Sequence, residues 1–292
     1  MSAAEPGSRE WLSKVTASKA AAILGASPYE SPYSMWHLMK GLVDKPPQTV
    51  EQGRGHYLEP SVLAWWRDQH PEYPEVTDHP HLTRPDYPWA AATPDLAATG
   101  PDTVLVEAKT AADANDWEKW GTPGTDEIPV HYLTQCYFAL ALSGAARAYV
   151  PVLGPYLSFT EFVVEADEGI QSALLDQCET FYHSLHGDTP PPLDDHTATL
   201  ATLKRRHPDI DQGETVEIDT ETAVEWIAAK GALKAAEARE RLRRAHVMEA
   251  MGPAQYLTAN GVRVARRQAS GKGVALYATA KTADLTEGDN AA

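Results

Sequence analysis

Residues 103–110, TVLVEAKT, constrain the fold more strongly than any other segment of the sequence. The β-branched and apolar first half predicts a strand, and the second half turns polar at Glu107 and Lys109. Residues two apart in a strand point to the same face, so these two side chains are expected to lie side by side. Charged groups at the end of an apolar central strand are costly unless they pair or bind something. The segment therefore predicts either a same-face ion pair or a chemical site.

The surrounding pattern predicts a mixed α/β fold with a small mixed sheet flanked by helices. Closely spaced strands indicate antiparallel hairpins with one crossover connection. The predicted strands are 76–83, 88–98, 103–109, 148–153 and 157–164. The predicted helices of this part of the chain are 55–69, 129–143 and 168–185.

A run of three prolines in HGDTPPPLDD, residues 186–195, is the clearest domain boundary, because proline cannot continue a helix. Beyond it, an Ala-, Glu- and Arg-rich stretch predicts one long helix, 220–251, followed by two strands, 256–266 and 273–280. The predicted organisation is a domain over 1–190, a linker over 191–219, a basic helix and hairpin appendage over 220–281, and a disordered tail over 282–292.

The net charge of −16 argues against a nucleic-acid partner, because such binding is driven by Lys and Arg meeting phosphates. The charge is unevenly spread, however. Residues 1–195 carry 11 Lys and Arg against 28 Asp and Glu, whereas residues 230–281 carry 11 against 3. A basic segment on an acidic body can bind DNA locally, and a solvated helix face is the alternative. The candidate DNA track consists of Arg241, Arg243, Arg244, Arg263, Arg266 and Arg267.

Several site classes and locations are disfavoured by composition. Cys136 and Cys178 lie in helical patterns and are expected to be buried small hydrophobes in a reducing cytoplasm. Two cysteines are too few for a four-thiolate zinc or iron–sulfur site. No apolar run of about 18 residues predicts a membrane span, and no secretory signal is expected at the N-terminus. His79 and His81 lie two apart on one side of a predicted strand and could ligate zinc, but no cysteine or third histidine has suitable spacing.

Pro94-Asp95 lies twelve residues before Glu107, at the end of another predicted strand. A hairpin would bring Asp95 beside Glu107, and the carbonyl of Ala108 could add a further oxygen ligand. Carboxylate and carbonyl oxygens are ligands that Mg²⁺ prefers, and a nearby ammonium can orient water or stabilise developing charge. This arrangement predicts metal-dependent hydrolysis of a phosphodiester, with Asp95, Glu107 and Lys109 at its centre.

Pro94-Asp95 followed by Glu107-Ala108-Lys109 resembles the PD-(D/E)xK nuclease motif. Other matching segments are Thr16-Ala17-Ser18, ILGASPYESPYSMW from Ile23, GHYLEP from Gly55, and IPVHYLTQ from Ile128. In this order the segments resemble the YqaJ / lambda-exonuclease-like family of viral recombination nucleases, over residues 9–187. The resemblance implies a restriction-endonuclease-like core.

The resemblance also implies roles for individual residues. Asp95 and Glu107 would bind one or two Mg²⁺ ions, or Mn²⁺, while Lys109 would activate water. Glu59 would contact a metal, although it could instead be an acid favoured by the helix dipole. Gln135 would support the site, or be a satisfied core amide.

Ser18 matches a family serine that helps to hold the terminal 5′-phosphate, although it could instead be a helix N-cap. The family arginine just ahead of this serine has no clear counterpart, and the nearest basic residues are Arg9, Lys14 and Lys19.

Trp117 and Trp120 follow the charged strand in a loop rich in Gly and Asp. They could contact DNA as a wedge or stacking platform, or they could pack over the site.

The expected function is that of a DNA exonuclease, 5′→3′ on double-stranded ends, in the bacterial cytoplasm and encoded by a phage or prophage. It would leave a 3′ strand for an annealing protein, and family relatives form toroidal trimers. One alternative is a structure-specific or CRISPR-adaptation-type endonuclease of the same fold, although the missing cysteine cluster counts against an iron–sulfur version. Alternatives of another class are a non-catalytic DNA-binding adaptor and a partner-binding scaffold on residues 220–251.

Overall fold

The computed structural model describes residues 7–47, 50–271, 273–280, 282 and 285. The chain divides into two compact units, Met1–Ile210 and Asp211–Ala292, which are described separately below. Within the described ranges, no helix is both long and apolar enough to cross a membrane. The predicted disordered tail, 282–292, lies outside the described residues except at Thr282 and Leu285.

The first unit contains short and long helices on either side of small sheets. Its helices are α1 (Arg9–Leu12), α2 (Ala17–Ile23), α3 (Pro32–Met39), α4 (Val50–Gln69), α5 (Ala114–Trp117), α6 (Val130–Ser143), α7 (Glu168–Ser184) and α8 (Thr197–Arg206). Its strands are β1 (Val15–Thr16), β2 (Glu75–Asp78), β3 (Leu82–Arg84), β4 (Tyr87–Ala92), β5 (Leu96–Thr99), β6 (Thr103–Val106), β7 (Lys109–Thr110), β8 (Arg147–Leu153) and β9 (Phe159–Glu165).

Across the main sheet the strands lie in the order β2, β5, β6, β8 and β9. Strand β7 follows β6 along the same edge of β8. The β2–β5, β5–β6 and β8–β9 pairs are antiparallel, whereas β6 runs parallel to β8. A parallel pair needs a crossover, and here the chain between β7 and β8 supplies α5 and α6. The predicted mixed α/β fold, with a sheet flanked by helices, is confirmed.

Both faces of the main sheet are covered. Val104 and Val106 join Leu63 and Trp66 of α4 in one apolar cluster. Leu105 belongs to a larger cluster that includes residues of α2, α3, α6 and α7. Alternate side chains of β6 therefore pack against opposite helical layers, as expected for a strand buried on both faces. Both cysteines, which are free, are also buried, and burial raises the pKa of each thiol to about 12.

Three predicted strands of the first unit are interrupted, and the breaks lie beside the candidate site. The predicted strand 103–109 ends as β6 at Val106 and resumes as β7 at Lys109. The predicted strand 88–98 ends as β4 at Ala92 and resumes as β5 at Leu96 in a different sheet, since β4 pairs with β1 and β3. Pro94 lies in the gap, and proline has no N–H to donate to a ladder. The predicted strand 76–83 is interrupted at His79, whose φ of 46° is left-handed.

Helix α4 contributes only part of its apolar residues to the core. Trp66 is completely buried, but Tyr57 is 86% exposed and takes no part in the core.

The segment predicted as a linker contains α8, which belongs to the first unit. The Thr199 hydroxyl lies 2.6 Å from the Ser31 hydroxyl, and Thr202 is completely buried. The His196 ring caps the helix by accepting a hydrogen bond from the Ala198 N–H. Small polar residues rather than large apolar ones form this contact, so the hydrophobic pattern did not reveal the helix.

The second unit contains α9 (Thr220–Met251) and three antiparallel strands, β10 (Tyr256–Ala259), β11 (Val262–Ser270) and β12 (Gly273–Ala278). The predicted long helix is present, but the predicted two-stranded hairpin has three strands. Asn260 and Gly261, with φ of 49° and 78°, turn the chain within the predicted strand 256–266. Asn-Gly favours this tight hairpin turn because both central residues need positive φ.

Candidate active site

The pairing of β5 with β6 determines where two acidic side chains lie. Leu96 is opposite Val106 in the antiparallel register, so Asp95 just before β5 comes opposite Glu107 just after β6. The Ala108 N–H donates a hydrogen bond to Asp95 Oδ2 at 2.7 Å. The structure therefore brings Asp95 to the Glu107-Ala108 segment, as the expected hairpin required.

Glu107, Lys109 and Gln135 form one hydrogen-bonded group. Lys109 Nζ donates to Glu107 Oε1 at 2.6 Å, and Gln135 Nε2 donates to the same oxygen. Lys109 Nζ is also 3.4 Å from Gln135 Oε1, and it lies 4.8 Å from the centre of the Tyr132 ring. The Glu107 side chain is only 8% exposed. Helix α6 thus provides an amide and a ring that hold the charged pair at the end of β6.

The carboxyl groups at this site outnumber the ammonium group. Burial, reinforced by the charge of Glu107, raises the pKa of Asp95 to about 8, although Lys109 opposes this effect. Burial alone would lower the pKa of Lys109, but the charges of Glu107 and Asp95 outweigh it and raise that pKa. One ammonium therefore faces two carboxyl groups in a low-dielectric setting, which suits the binding of an additional cation.

Glu59 and His79 extend the acidic cluster on the other side of Asp95. One potential ligand atom from each of Glu59, His79 and Asp95 lies within 4.8 Å of the other two. His79 Nε2 is 3.9 Å from Glu59 Oε1, and the backbone N–H of His79 donates to the backbone carbonyl of Asp95 at 2.9 Å. Two carboxylates and an imidazole are a suitable donor set for a hard or borderline divalent cation.

His79 was not predicted as part of this site, because from the sequence it was a candidate zinc ligand only together with His81. His79 instead meets Glu59 from α4 and Asp95 from the start of β5. No sequence spacing indicates this meeting. The only local signal is the left-handed backbone at His79, which is visible in the structure alone.

His131, on α6 within the IPVHYLTQ segment, is a second residue that the sequence analysis did not single out. Burial and the charge of Lys109 lower its pKa to about 4, so its imidazole is neutral. Among the described residues, its buried Nε2 has no hydrogen-bond partner.

The three residues predicted to hold a 5′-phosphate lie near the start of the first unit. Ser18 is exposed on α2, and its Oγ is 3.1 Å from the Thr16 hydroxyl. Lys14 Nζ donates to the Pro88 carbonyl, and Arg9 is exposed on α1.

Lys19, the other basic residue near Ser18, is buried and donates to the carbonyls of Trp11 and Lys14. Burial and the nearby charge of Lys45 lower the pKa of Lys19 to about 7. Its nitrogen is therefore used to hold the N-terminal segment together, which leaves Lys14 and Arg9 as the cations that can face a ligand here.

Trp117 and Trp120 pack with each other and with β9. Their rings are stacked at 6.1 Å, and the Trp120 ring lies 5.1 Å from that of Phe162. Trp120 is buried. Of the two interpretations of this loop, packing is confirmed for Trp120.

The residues of the predicted DNA track lie in the second unit. Arg241, Arg243 and Arg244 are exposed on α9, and Arg244 pairs with Glu240 at 2.6 Å. Arg263, Arg266 and Arg267 lie on β11.

Comparison with known proteins gives one family match and several distant structural likenesses. Residues 9–146 match the model of the YqaJ-like viral recombinase domain. No curated protein matches the sequence.

Among solved structures, an alkaline exonuclease (LHK-Exo) from Laribacter hongkongensis is 21% identical, with 61% of this chain and 93% of that chain covered and a TM-score of 0.47. LHK-Exo in complex with dAMP is 20% identical, with 70% and 98% covered and a TM-score of 0.48. A phage-related exonuclease from Haemophilus somnus is 10% identical, with 59% and 95% covered and a TM-score of 0.42.

The structural likenesses are too distant to carry an argument, so the family match over residues 9–146 is the finding that bears on function. The matched range includes Ser18, Glu59, Asp95, Glu107, Lys109 and Gln135. Residues 9–146 of this chain are therefore similar to the YqaJ-like viral recombinase domain.

Proposed function

We propose that this protein is a divalent-metal-dependent deoxyribonuclease that degrades double-stranded DNA from its ends, 5′→3′, during phage-type recombination. One observation carries the proposal. Glu107 Oε1 receives hydrogen bonds from both Lys109 and Gln135, while Asp95 lies across the β5–β6 register and binds the next backbone N–H. A buried set of this kind combines acidic ligands with a fixed ammonium, as phosphodiester hydrolysis requires.

The proposed metal ligands are Asp95, Glu107 and the carbonyl of Ala108, with Glu59 and His79 completing the same site or a second one. The raised pKa of Asp95 and the Glu59–His79–Asp95 cluster support this assignment to Mg²⁺ or Mn²⁺, because a bound cation would stabilise the ionised carboxylate. A bound divalent ion would supply the positive charge that activates water and polarises the phosphate.

The proposed role of Lys109 is to orient the attacking water and to stabilise negative charge on the phosphate. Its ammonium is held by Glu107 and by the Tyr132 ring, so its position is restricted before substrate binds. Preorganised charge of this kind is effective because little rearrangement is needed at the moment of reaction. Gln135 positions Glu107 through its amide hydrogen bond and touches no substrate in this proposal.

For the DNA end, the proposed contacts of the 5′-phosphate are Ser18, Lys14 and Arg9. The hydroxyl and the two cations provide the donors that a phosphate needs, and Ser18 and Arg9 are exposed. In this proposal the protein acts in the cytoplasm of a bacterial host, forms a homotrimer around DNA, and hands a 3′ strand to an annealing protein. A ring would allow a basic lumen despite the net charge of −16.

The decisive experiment compares linear, nicked and closed circular duplex DNA, with 5′-phosphate or 5′-hydroxyl ends, in Mg²⁺, in Mn²⁺ and in EDTA. We expect mononucleotides from linear DNA only, faster from 5′-phosphate ends, and none in EDTA. Lys109→Met is expected to abolish release, whereas Lys119→Met, at an exposed loop lysine, serves as the matched control. Cutting of closed circles would identify an endonuclease instead, and no cutting with any divalent metal would favour the non-catalytic adaptor.

The proposed trimer is tested separately by light scattering of the purified protein during size-exclusion chromatography. A mass of three chains is expected, and a monomer at assay concentration would contradict the ring.

A further inference from the structure

The three-stranded sheet of the second unit has an unusual polar face. Tyr256 of β10 pairs with Arg266 of β11, and Arg266 pairs with Tyr277 of β12. Directly paired residues point to the same side of a sheet, so the arginine lies between two tyrosines on one face. The Arg266 guanidinium is 5.1 Å from the centre of the Tyr277 ring.

A β-bulge adds a second arginine to this face. Leu257 pairs with Ala265, but Thr258 pairs with Arg263, so Val264 is an extra residue in β11. The extra residue reverses the alternation and turns Arg263 to the side of Arg266. The Arg263 guanidinium lies 3.9 Å from the centre of the Tyr256 ring. Tyr256, Arg263, Arg266 and Tyr277 are hereafter the tyrosine–arginine face.

This face is open, whereas the opposite face of the sheet is the packed one. Tyr256 and Tyr277 lie on the two edge strands, and each is 42% exposed. Ala265, on the opposite side of β11, is buried. Arg267 also points away from the tyrosine–arginine face, and its guanidinium donates to the Gly252 carbonyl. The sheet therefore buries Ala265 on one side and presents rings and guanidinium groups on the other.

The charge of the face has no internal counterpart. Residues 250–281 contain five Lys and Arg and no Asp or Glu. Within the described part of the chain, neither Arg263 nor Arg266 forms an ion pair, in contrast to Arg244 on α9. Two cations held against two exposed aromatic rings, without a neutralising acid, are complementary to an anionic partner that also has flat apolar surfaces.

We propose that the tyrosine–arginine face binds single-stranded DNA, with unpaired bases stacked on Tyr256 and Tyr277 and phosphates contacted by Arg263 and Arg266. Single strands offer exposed base planes and a charged backbone together, and sheet-borne aromatic rings recognise this combination. Duplex DNA buries its base planes, so it could use the arginines but not the rings. The inference goes beyond the proposed nuclease activity and does not depend on it.

The test measures binding of a labelled oligo(dT) and of a blunt duplex by fluorescence anisotropy in EDTA. Both the reference protein and the variants carry Lys109→Met in the full-length chain, so that DNA is not degraded. Tyr256→Leu/Tyr277→Leu is expected to weaken oligo(dT) binding about tenfold or more and to change duplex binding less than about twofold. Arg263→Lys/Arg266→Lys, which keeps charge but removes the planar groups, is expected to produce a smaller loss on oligo(dT) alone.

A second measurement does not depend on the stability of the variants. Photo-crosslinking of 5-iodouracil oligonucleotides to the full-length protein, followed by mass spectrometry, is expected to modify Tyr256 or Tyr277. Unchanged oligo(dT) affinity in the tyrosine variant, or crosslinks confined to the first unit, would overturn the proposal. Equal losses on single-stranded and duplex DNA would also overturn it, because they indicate a general electrostatic surface. The two proposals can fail separately. Loss of nuclease activity with oligo(dT) binding intact would concern only the proposed nuclease site, and loss of oligo(dT) binding with nuclease activity intact would concern only the tyrosine–arginine face.

Discussion

Around Glu107 the charged side chains are buried and hold one another, whereas on the tyrosine–arginine face they are exposed and lack acidic partners among the residues that the structure describes. The first arrangement is costly to form, because burying charge requires compensation by well-placed opposite charge and hydrogen bonds. The second costs little, because water solvates the arginines until a ligand replaces it. Substitutions at the buried site should therefore have large and specific effects, and those at the exposed face small effects that depend on salt.

The largest expected effect comes from Glu107→Gln. The amide keeps the volume but removes the negative charge that Lys109 and the proposed metal need. We expect nuclease turnover to fall on the order of 10²- to 10³-fold, the scale typical of losing one preorganised electrostatic contact. The wild-type protein should also be stabilised against heat by Mn²⁺, because a ligand that binds only the folded state raises its melting temperature.

Glu168→Gln, at an exposed position on α7, is the control and should retain both turnover and the Mn²⁺ effect. If Glu107→Gln kept the full thermal shift, Glu107 would have no part in holding the ion.

A change at Gln135 should have a smaller effect at the same buried site. Gln135→Leu removes the amide that donates to Glu107 and leaves that carboxylate with one donor fewer. A hydrogen bond to a charged group contributes about 1.5–3 kcal/mol, so we expect a decrease of about tenfold or more in turnover. Because Gln135 is a positioning residue, the Mn²⁺ thermal shift should largely remain, and Gln135→Glu should not restore activity. Gln69→Leu, at the exposed end of α4, is the matched control.

Replacing His79 should change metal preference more than activity in saturating metal. Nitrogen donors favour Mn²⁺ over Mg²⁺, so His79→Asn, which offers an amide oxygen and tolerates the left-handed backbone, should weaken Mn²⁺ binding about tenfold. Mg²⁺ prefers oxygen ligands, so its binding should change by less than about threefold. Calorimetric titration measures both constants directly. His81→Asn should alter neither, and an equal loss for both metals would show that His79 is not a ligand.

The smallest expected effect is at the tyrosine–arginine face. Arg263→Gln/Arg266→Gln should reduce the slope of log affinity for oligo(dT) against log salt by about 1 to 1.5, since each neutralised phosphate of a single strand contributes about 0.7. Arg244→Gln removes a cation already paired with Glu240, so its slope should change less. Equal salt slopes for the two variants would show that Arg263 and Arg266 contribute no more to DNA binding than the ion-paired Arg244 does.

Much of the buried site was predictable because it depends on local patterns. The run of β-branched and apolar side chains in residues 103–106 predicted the strand, and the polar ending placed Glu107 and Lys109 on one face. The hairpin that brings Asp95 opposite Glu107 follows from short spacing between strands. Gln135 was identified through resemblance, and its contact with Glu107 is visible only in the structure.

Other features were not predictable because they depend on residues distant in sequence or on one irregular residue. Helix α8 packs through small polar residues, so no hydrophobic period marked it. The Asn260-Gly261 turn was a local signal that the sequence analysis overlooked. His79 became a candidate ligand only through its proximity to Glu59 and Asp95.

The sequence by itself determined which strand ends in charge and which residues accompany it, because side-chain direction in a strand follows a period of two. Only the tertiary structure decided the arrangement on β11. Simple alternation would place Arg263 with Arg267, but the extra residue Val264 places it with Arg266 instead. A bulge is selected by pairing with neighbouring strands, and one inserted residue is enough to reverse which face a side chain occupies.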